Sequence, residues 1–375
     1  MQIKFPLSII INFVDKDLIR HLRIPFSFFL FPIYCFSLSL AANINWLNAF
    51  IIFICLHFFI YPGSNSYNSY IDKDEGSIGG LKNPPPSTRK LYFTSIIMDF
   101  TGLLITLFIG IEFLLSVFCY VLVSKAYSWQ VTRLKKYGLL SWLVVLIFQG
   151  GYTYFLINYF VNNTENHEWF NAYNYTGGAI ASLFVGAYYP LSQIYQHEED
   201  AKRGDKTISF LLGIKGTFIL SLLLFCLVNI LLFFFFLNYY NFFHYFLFII
   251  FLFPVAIYFI NWMSDCFHNN AHANFERAMN LNKISAICIS SYFLVMLLSA
   301  IQWESSNNCI NHLIYCPCWV LSPTRWVDIS SNFKKQIVNE LLVITTTMAW
   351  ASKLLLLREF KCANLTPYYS KGLWK

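Results

Sequence analysis

The chain has 375 residues, of which 57% are hydrophobic and only 12% are charged. Soluble globular domains carry about 25% charged residues, so this chain has too little charge to cover a water-exposed surface. Its net charge of +7 is spread over short loops, without a basic helix or an aromatic RNA-binding motif, which argues against a nucleic-acid partner. The composition is typical of a protein whose solvent is membrane lipid.

Apolar runs separated by polar clusters predict an all-α, multi-pass transmembrane bundle of about nine helices, because each span needs about 20 mostly apolar residues. Only Gly110 and Glu112 separate the third helix from the fourth. The bundle defines a predicted transmembrane domain over 1–301, followed by a C-terminal tail over 302–375. In chain order, the predicted helices cover 24–44, 46–64, 91–109, 111–125, 138–160, 176–195, 216–237, 242–263 and 284–301.

The positions of Lys and Arg predict the orientation of the bundle. With the N-terminus in the cytoplasm and nine alternating helices, the cytoplasmic segments hold eighteen Lys and Arg residues, whereas the external loops up to residue 301 hold none. Positive residues favour the cytoplasmic side of a membrane protein. We therefore expect a multi-pass protein of the cytoplasmic (cell inner) membrane with a cytoplasmic N-terminus.

The C-terminal tail 302–375 does not follow this distribution of Lys and Arg. It holds the remaining eight basic residues, and its hydrophobic run 337–357 is interrupted by Glu340 and Lys353. A tenth hydrophobic segment, a surface-bound tail and a sequence that is not native-like are all compatible with it. Cys316 and Cys318 form a CxC pattern with one distant Cys, which is a weak zinc signal, and we expect no zinc site.

Two predicted cytoplasmic loops, 65–76 after helix two and 193–207 after helix six, carry most of the acidic residues. Each loop places an Asn or Gln four residues before an Asp. On a helical turn that spacing brings both side chains to one face. Two such faces would form a cage of oxygen ligands. The pairs are Asn68 with Asp72 and Gln196 with Asp200.

Oxygen-rich clusters of this kind suit Mg²⁺, which proteins commonly share between carboxylates and substrate phosphates. Lys and Arg beside the acids would complete a diphosphate site. The plainer alternative is that both segments are solvated loops. The shared cytoplasmic side, the repeated spacing and the mixture of acids and bases favour a metal-diphosphate site.

The order of these motifs along the chain and the predicted topology resemble those of the UbiA-type intramembrane prenyltransferases. The resemblance covers about residues 20–300. That family has nine helices, an N-x-x-x-D-x-x-x-D motif after helix two and a D-x-x-x-D motif after helix six. Here the first motif falls on Asn68, Asp72 and Gly76, and the second on Gln196 and Asp200. Further matching segments are Tyr127-Ser128 with Arg133-Leu134-Lys135-Lys136, the Pro-rich stretch 83–89, and 212–217.

Two positions depart from the family pattern. The last acid of motif one falls on Gly76, so that Asp74 or Glu75 must substitute for it. The first acid of motif two is the neutral Gln196. The candidates to supply the missing charge there are Glu198, Glu199 and Asp205.

The resemblance implies Mg²⁺-dependent transfer of a prenyl group from an isoprenyl diphosphate to a lipophilic, aromatic or quinone-precursor acceptor within membrane lipid. The implied catalytic residues are Asp72 and Asp200, and the implied metal ligands are Asn68, Asp72, Asp74, Gln196 and Asp200. The implied diphosphate-binding residues are Lys82, Arg133, Lys135, Lys202, Arg203 and Lys206. Further candidates are Asn65, Glu75, Glu199, Asp205 and Tyr127.

Other functions remain open at the level of sequence. A terpene cyclase, which captures the allylic cation internally, would use the same motifs. A non-enzymatic transporter predicts ionisable residues in the middle of helices and an internal repeat, whereas the acids here lie mainly in loops. Asp99 and Gln149 are polar residues inside predicted helices, with either a functional or a structural role.

Overall fold

A computed structural model of the chain describes residues 16–162 and 170–314. The chain divides into two units, Met1–Trp303 and Glu304–Lys375. The candidate functional site lies in the first unit. Most of the predicted tail, including the hydrophobic run 337–357 and the CxC pattern, lies outside the described residues, as does 163–169 of the predicted external loop.

The first unit is built from long helices. Seven of the helices in the described residues are long and apolar enough to cross a membrane, namely all except α3, α6 and the short α7. The predicted all-α membrane bundle is therefore confirmed, and the number of spanning helices stays a prediction. The helices are α1 Lys16–Ser39, α2 Trp46–Asp72, α3 Arg89–Thr106, α4 Ile111–Ser128, α5 Gly138–Val161, α6 Ala172–Gln193, α7 His197–Arg203, α8 Ile208–Tyr239, α9 Phe242–His268 and α10 Phe275–Ile314.

Helix α2 is longer than the sequence predicts. The apolar run ends at residue 64, but the helix continues to Asp72 and stops where Lys73 takes a left-handed conformation with φ 50° and ψ 49°. The polar turns stay helical because they pack on α3, as in the contact between the rings of Tyr70 and Tyr92 at 5.2 Å. The prediction that the first acidic segment is a loop is thus wrong for Asn68 and Asp72.

The second acidic segment contains a helix of its own. After α6 ends at Gln193, the chain forms α7, which stops at Gly204 with a φ of 70°. Thr207 then caps α8, accepting a hydrogen bond from the backbone N–H of Phe210. Gly213, with φ 67° and ψ 178°, breaks the helix just before the predicted start at 216.

Helices α5 and α6 pack closely through glycine. A Cβ at Gly150 would lie 2.5 Å from the Cα of Ser182, and a Cβ at Gly178 would lie 2.5 Å from the ring of Phe155. Small residues allow such close approach between membrane helices. Gly150 and Gly178 therefore allow α5 and α6 to approach closely.

The outer surface of the bundle is apolar. Large side chains such as Phe100, Phe108, Leu223 and Phe253 are exposed on the outside of their helices. In water such a surface would be a large hydrophobic patch, whereas in lipid it is the expected exterior. The polar residues instead line the interior of the bundle or lie at the ends of the helices.

Replacing Gly150 by Ala should destabilise the bundle by about 1–3 kcal/mol, because the new methyl group would meet backbone atoms of α6 that cannot move aside. Thermal unfolding in detergent measures the effect. Gly216→Ala is the matched control, since its nearest atoms all belong to the side chain of Leu212, one turn earlier in the same helix and at 3.0 Å or more, rather than to the backbone of another helix. Equal unfolding temperatures for the two variants would contradict this account of the contact.

Candidate functional site

A cavity of about 340 Å³ lies inside the bundle and receives side chains from seven helices. Its inner part is apolar and aromatic, with Phe36, Phe148, Phe184 and Phe293 among the lining residues. Its other end is lined by charged residues from the ends of α2 and α7. The helical stretches that contribute are 23–36 of α1, 61–72 of α2, 120–128 of α4, 144–149 of α5, 184–193 of α6, 199–203 of α7 and 282–293 of α10.

The two predicted motifs meet at the charged end of this cavity. Asn68 and Asp72 reach it from the last turns of α2, and Gln196 and Asp200 reach it from the beginning of α7. Helix α2 and helix α6 both end on this side of the bundle. The chain therefore brings together four side chains that the sequence places far apart.

Two buried carboxylates are joined by the connection between α4 and α5. Lys135 forms an ion pair with Asp72, and its Nζ lies 3.7 Å from Asp205. Arg133 donates from Nε at 2.8 Å and from Nη2 at 2.9 Å to the two oxygens of Asp205. The Nη1 of Arg133 is also 3.8 Å from Asp72. This network ties the end of α2 to the turn between α7 and α8.

A second network explains the glycine at position 76. Arg203 lies 2.5 Å from an oxygen of Asp74 and 2.5 Å from one of Glu199. A Cβ at Gly76 would lie 2.5 Å from the Oε1 of Glu199. Glu199 therefore occupies the space that a side chain at position 76 would need, and it brings a carboxylate to the place where the family motif has one.

Asp200 sits in a setting that disfavours its charge. Burial raises the pKa of its carboxyl to about 6, and the neighbouring Asp205 adds to the shift. Thr207 opposes the shift because its hydroxyl donates a hydrogen bond of 2.8 Å to Oδ2 of Asp200. A cation bound nearby would favour the ionised form.

Negative charge exceeds positive charge at this end of the cavity, which we call the acidic mouth. Arg23, Lys135 and Arg203 are the cations of the described cavity lining, and Arg133 lies directly behind them. Even with Arg133 counted, acids outnumber bases. The acidic mouth consists of Asp72, Asp74, Glu199, Asp200 and Asp205.

The donors at the acidic mouth fit Mg²⁺. Oδ1 of Asp72 is buried without a hydrogen-bond partner among the described residues. Asn68 donates its amide N–H to Ser128 at 2.8 Å and Gln196 donates to the carbonyl of Ser77 at 3.1 Å, so both amides can accept a cation at their oxygens. Within the described ranges, no three Asp, Glu, His or Cys side chains form a metal centre by themselves. Mg²⁺ usually binds one or two carboxylates together with substrate phosphates, and carboxylate and amide oxygens of this kind are present here.

The predicted site residues divide into those that line the cavity and those that do not. Four of them lie away from the cavity lining: Glu75, Lys202 and Lys206 are exposed, and Lys82 pairs with Glu276 on the surface. Arg133 contacts two acids of the mouth without lining the cavity itself. The members that line the cavity are Asn65, Asn68, Asp72, Asp74, Tyr127, Lys135, Gln196, Glu199, Asp200, Arg203 and Asp205.

Arg23 is a residue of the cavity that the sequence interpretation missed. It is only 7% exposed, has a left-handed φ of 49°, and donates to the backbone carbonyls of Asn65 at 2.8 Å and Gly79 at 3.2 Å. The sequence pattern identifies Arg23 only as one of the basic residues on the predicted cytoplasmic side. Its position directly before an apolar run that contains Pro25 is the signal that could have found it.

The two polar residues inside predicted helices have different surroundings. Asp99 pairs with Lys125 at 2.6 Å, and neither residue lines the cavity. Gln149 lies in a π-helical turn of α5, Leu146–Tyr152, and lines the cavity. Asp99 therefore links α3 to α4, whereas Gln149 belongs to the cavity lining, where its side chain is hydrogen-bonded to Tyr120.

The sequence matches the profile of the UbiA prenyltransferase family over residues 29–284, which is more than half of the chain, so the protein belongs to that family. Two solved structures of a UbiA homolog from Archaeoglobus fulgidus have the same fold. The one bound to GPP and Mg²⁺ is 17% identical and the one bound to DMAPP and Mg²⁺ is 16% identical; each covers 75% of this chain and 99% of its own, with a TM-score of 0.53. No curated protein matches the sequence.

Removing the carboxylate of Asp205 should destabilise the protein by about 1–3 kcal/mol, because the partly buried Arg133 would lose both of its hydrogen bonds to Asp205 and Lys135 would keep only Asp72 as a partner. Asp205→Ala should lower the thermal unfolding temperature in detergent. Asp265→Ala is the control, because its ion pair with Arg277 is partly exposed and contributes about 0–1 kcal/mol. A larger effect at Asp265 than at Asp205 would refute the role given to this network.

Proposed function

We propose that this protein transfers a prenyl group from an isoprenyl diphosphate to an aromatic or quinone-precursor acceptor within the membrane, and that the reaction depends on Mg²⁺. The main support is that both Asp-containing motifs meet at the mouth of one cavity with an aromatic interior. Family membership and the ligands of the A. fulgidus relatives agree with this chemistry.

The acidic mouth would hold the diphosphate together with the metal. Asp72 and Asp200 would hold Mg²⁺, assisted by Asn68, Gln196 and the carboxylates bound to Arg203. When bound, the metal neutralises the charge that develops on the leaving diphosphate. Lys135, Arg203 and Arg23 bind phosphate oxygens, and Arg133 fixes Lys135 and Asp205 in place.

The interior of the cavity protects the prenyl cation. Breaking the bond to the diphosphate leaves an allylic cation that water would capture. Tyr61, Tyr120, Phe148 and Tyr189 line the cavity between the acidic mouth and its apolar end. The faces of these rings attract a cation, and their bulk excludes water. The new bond from the acceptor to the prenyl carbon then forms, and the acceptor loses a proton, which the released diphosphate accepts.

The alternatives are less well supported. A terpene cyclase needs an apolar chamber around a single folded chain, whereas several polar side chains without partners face this cavity. A transporter would need a path through the membrane, and this cavity ends in packed aromatic rings, with Phe36 and Phe293 at 4.8 Å between centroids. The excess of basic residues at the helix ends beside the acidic mouth supports a cytoplasmic mouth and a cytoplasmic N-terminus in the cell inner membrane.

Asp72→Asn and Asp200→Asn should each lower Mg²⁺-dependent diphosphate release from geranyl diphosphate by about 100-fold or more, because the leaving group loses its charge stabilisation. The measurement uses purified protein in detergent with and without Mg²⁺ and with a panel of aromatic acceptors. Glu198→Gln is the control, since Glu198 lies on the same short helix but is exposed. Release that is unaffected by both Asp substitutions would exclude this site, and release without any acceptor would favour the cyclase.

Among the basic residues, only those at the mouth should matter for binding. Lys135→Gln and Arg203→Gln should weaken the binding of geranyl diphosphate about tenfold or more, because each removes a charged hydrogen-bond donor. Lys82→Gln, Lys202→Gln and Lys206→Gln should bind it like the wild type, because these residues are exposed and lie outside the cavity lining. Calorimetric titration distinguishes the two sets, and an equal loss in both would show that binding depends on general surface charge.

A further inference from the structure

The inner end of the cavity is closed by two aromatic rings. Phe36 of α1 and Phe293 of α10 are the innermost lining residues of their helices, and they are only 2% and 1% exposed. Their ring centroids lie 4.8 Å apart. We call this pair the aromatic floor. It lies at the opposite end of the cavity from the acidic mouth.

The aromatic floor is supported by rings from other helices. Tyr154 of α5 lies 5.4 Å from Phe36 and Phe248 of α9 lies 6.2 Å from Phe293, measured between ring centroids. Both supporting side chains are fully buried. Tyr154 in turn packs against Gly177 of α6, where a Cβ would collide with its phenol ring. Because protein interiors are close-packed, a ligand cannot push the floor aside without disturbing several helices.

The lengths of the lined helices give the depth of the cavity. The stretch of α2 from Asp72 to Tyr61 and the stretch of α10 from Asn282 to Phe293 are each about 16 Å long, at a rise of about 1.5 Å per residue. A bound metal and the diphosphate occupy about 5 Å of this length at the mouth, since each Mg–O bond is about 2 Å long. About 11 Å therefore remain for the prenyl chain above the floor.

An extended prenyl chain of two isoprene units fits this length. Each unit adds four carbons to the main chain and about 5 Å to its extended length, given C–C bonds of about 1.5 Å. Two units thus extend about 10 Å, whereas a third would extend to about 15 Å and meet the floor. A single unit would leave the space beside the floor unfilled and lose contacts with its lining.

The space above the floor is lined for a hydrocarbon chain. Ile33 of α1 and Ile289 of α10 line the cavity about one turn nearer the mouth than the floor, and they are only 6% and 5% exposed. Burial of apolar surface against such residues favours the binding of each isoprene unit that fits. The gain from burial therefore ends where the chain reaches the floor.

We infer that the aromatic floor limits the prenyl donor to two isoprene units, so that the protein selects geranyl diphosphate over longer donors. The inference rests on the proposed function and specifies the class of its first substrate. Phe36 and Phe293 determine specificity by contacting the end of the prenyl chain that is remote from the reacting carbon.

The test measures, by calorimetry, the binding of unreactive donors to the full-length protein in detergent with saturating Mg²⁺. The probes are the S-thiolodiphosphate analogues of dimethylallyl, geranyl and farnesyl diphosphate, which carry one, two and three isoprene units. We expect the geranyl analogue to bind at least about tenfold more tightly than either of the others. Detergent takes up each analogue to the same extent for every variant, so ratios of affinity are compared between variants.

Phe293→Ala removes half of the floor and should raise the affinity for the farnesyl analogue, relative to the geranyl analogue, by about tenfold or more. Phe113→Ala is the matched control, because Phe113 is a fully buried Phe of α4 that lies outside the cavity lining. It should leave the ratio unchanged, so that a deeper cavity is distinguished from a general loss of packing.

Ile289→Phe places a ring one turn closer to the mouth and raises the floor by about 6 Å, which is more than one isoprene unit. It should shift the preference from the geranyl analogue towards the dimethylallyl analogue by about tenfold or more. Ile287→Phe is its control, because Ile287 lies on the exterior of the same helix and is 58% exposed. A loosened fold cannot shift the preferred chain length in opposite directions in the two cavity variants.

Two results would overturn the inference and leave the proposed function intact. One is a wild type that binds the farnesyl analogue as tightly as the geranyl analogue. The other is an unchanged ratio in Phe293→Ala or Ile289→Phe protein that still binds a donor analogue. Failure of the wild type to bind any of the analogues with Mg²⁺ would overturn the proposed function, and this inference with it.

Discussion

The pairing of buried charges at the acidic mouth is the constraint on which the site depends. Asp72 at the end of α2 and Asp205 before α8 are both buried, and each requires a positive partner. Arg133 and Lys135, in the connection between α4 and α5, supply the charges. An unpaired charge here would cost several kcal/mol, so three separate segments must meet at one point. Asp200 reaches the same cavity because α7 is held by this meeting.

The surrounding lipid limits how the polar atoms of the interior can find hydrogen-bond partners. In a soluble protein, unpaired hydroxyls in a cavity are easily satisfied by water, whereas a membrane bundle has little water to offer. The aromatic interior and the acidic mouth are therefore complementary parts of one chamber. The aromatic rings suit an isoprenoid chain and its cation, while the charged groups remain at the mouth.

Neighbouring residues compensate locally for the two differences from the family motifs. Gly76 has no side chain, and the carboxylate of Glu199 fills that space while Arg203 holds it beside Asp74. Gln196 is neutral, but it lies among five carboxylates, so the loss of one charge leaves an excess of acids. The motif positions differ from those of the family, whereas the oxygen-rich, acidic character of the mouth is retained.

The sequence alone determined the membrane class, the helical architecture and the two segments that carry Asp72 and Asp200, because hydrophobicity and i, i+4 spacing are local properties of a chain. It did not determine which charges lie at the mouth. Lys135 is buried there while Lys202 is exposed, although both stand beside acids in the sequence. The position of Arg23 and the compensation by Glu199 depend on contacts between segments distant in sequence, and these are set by packing in three dimensions.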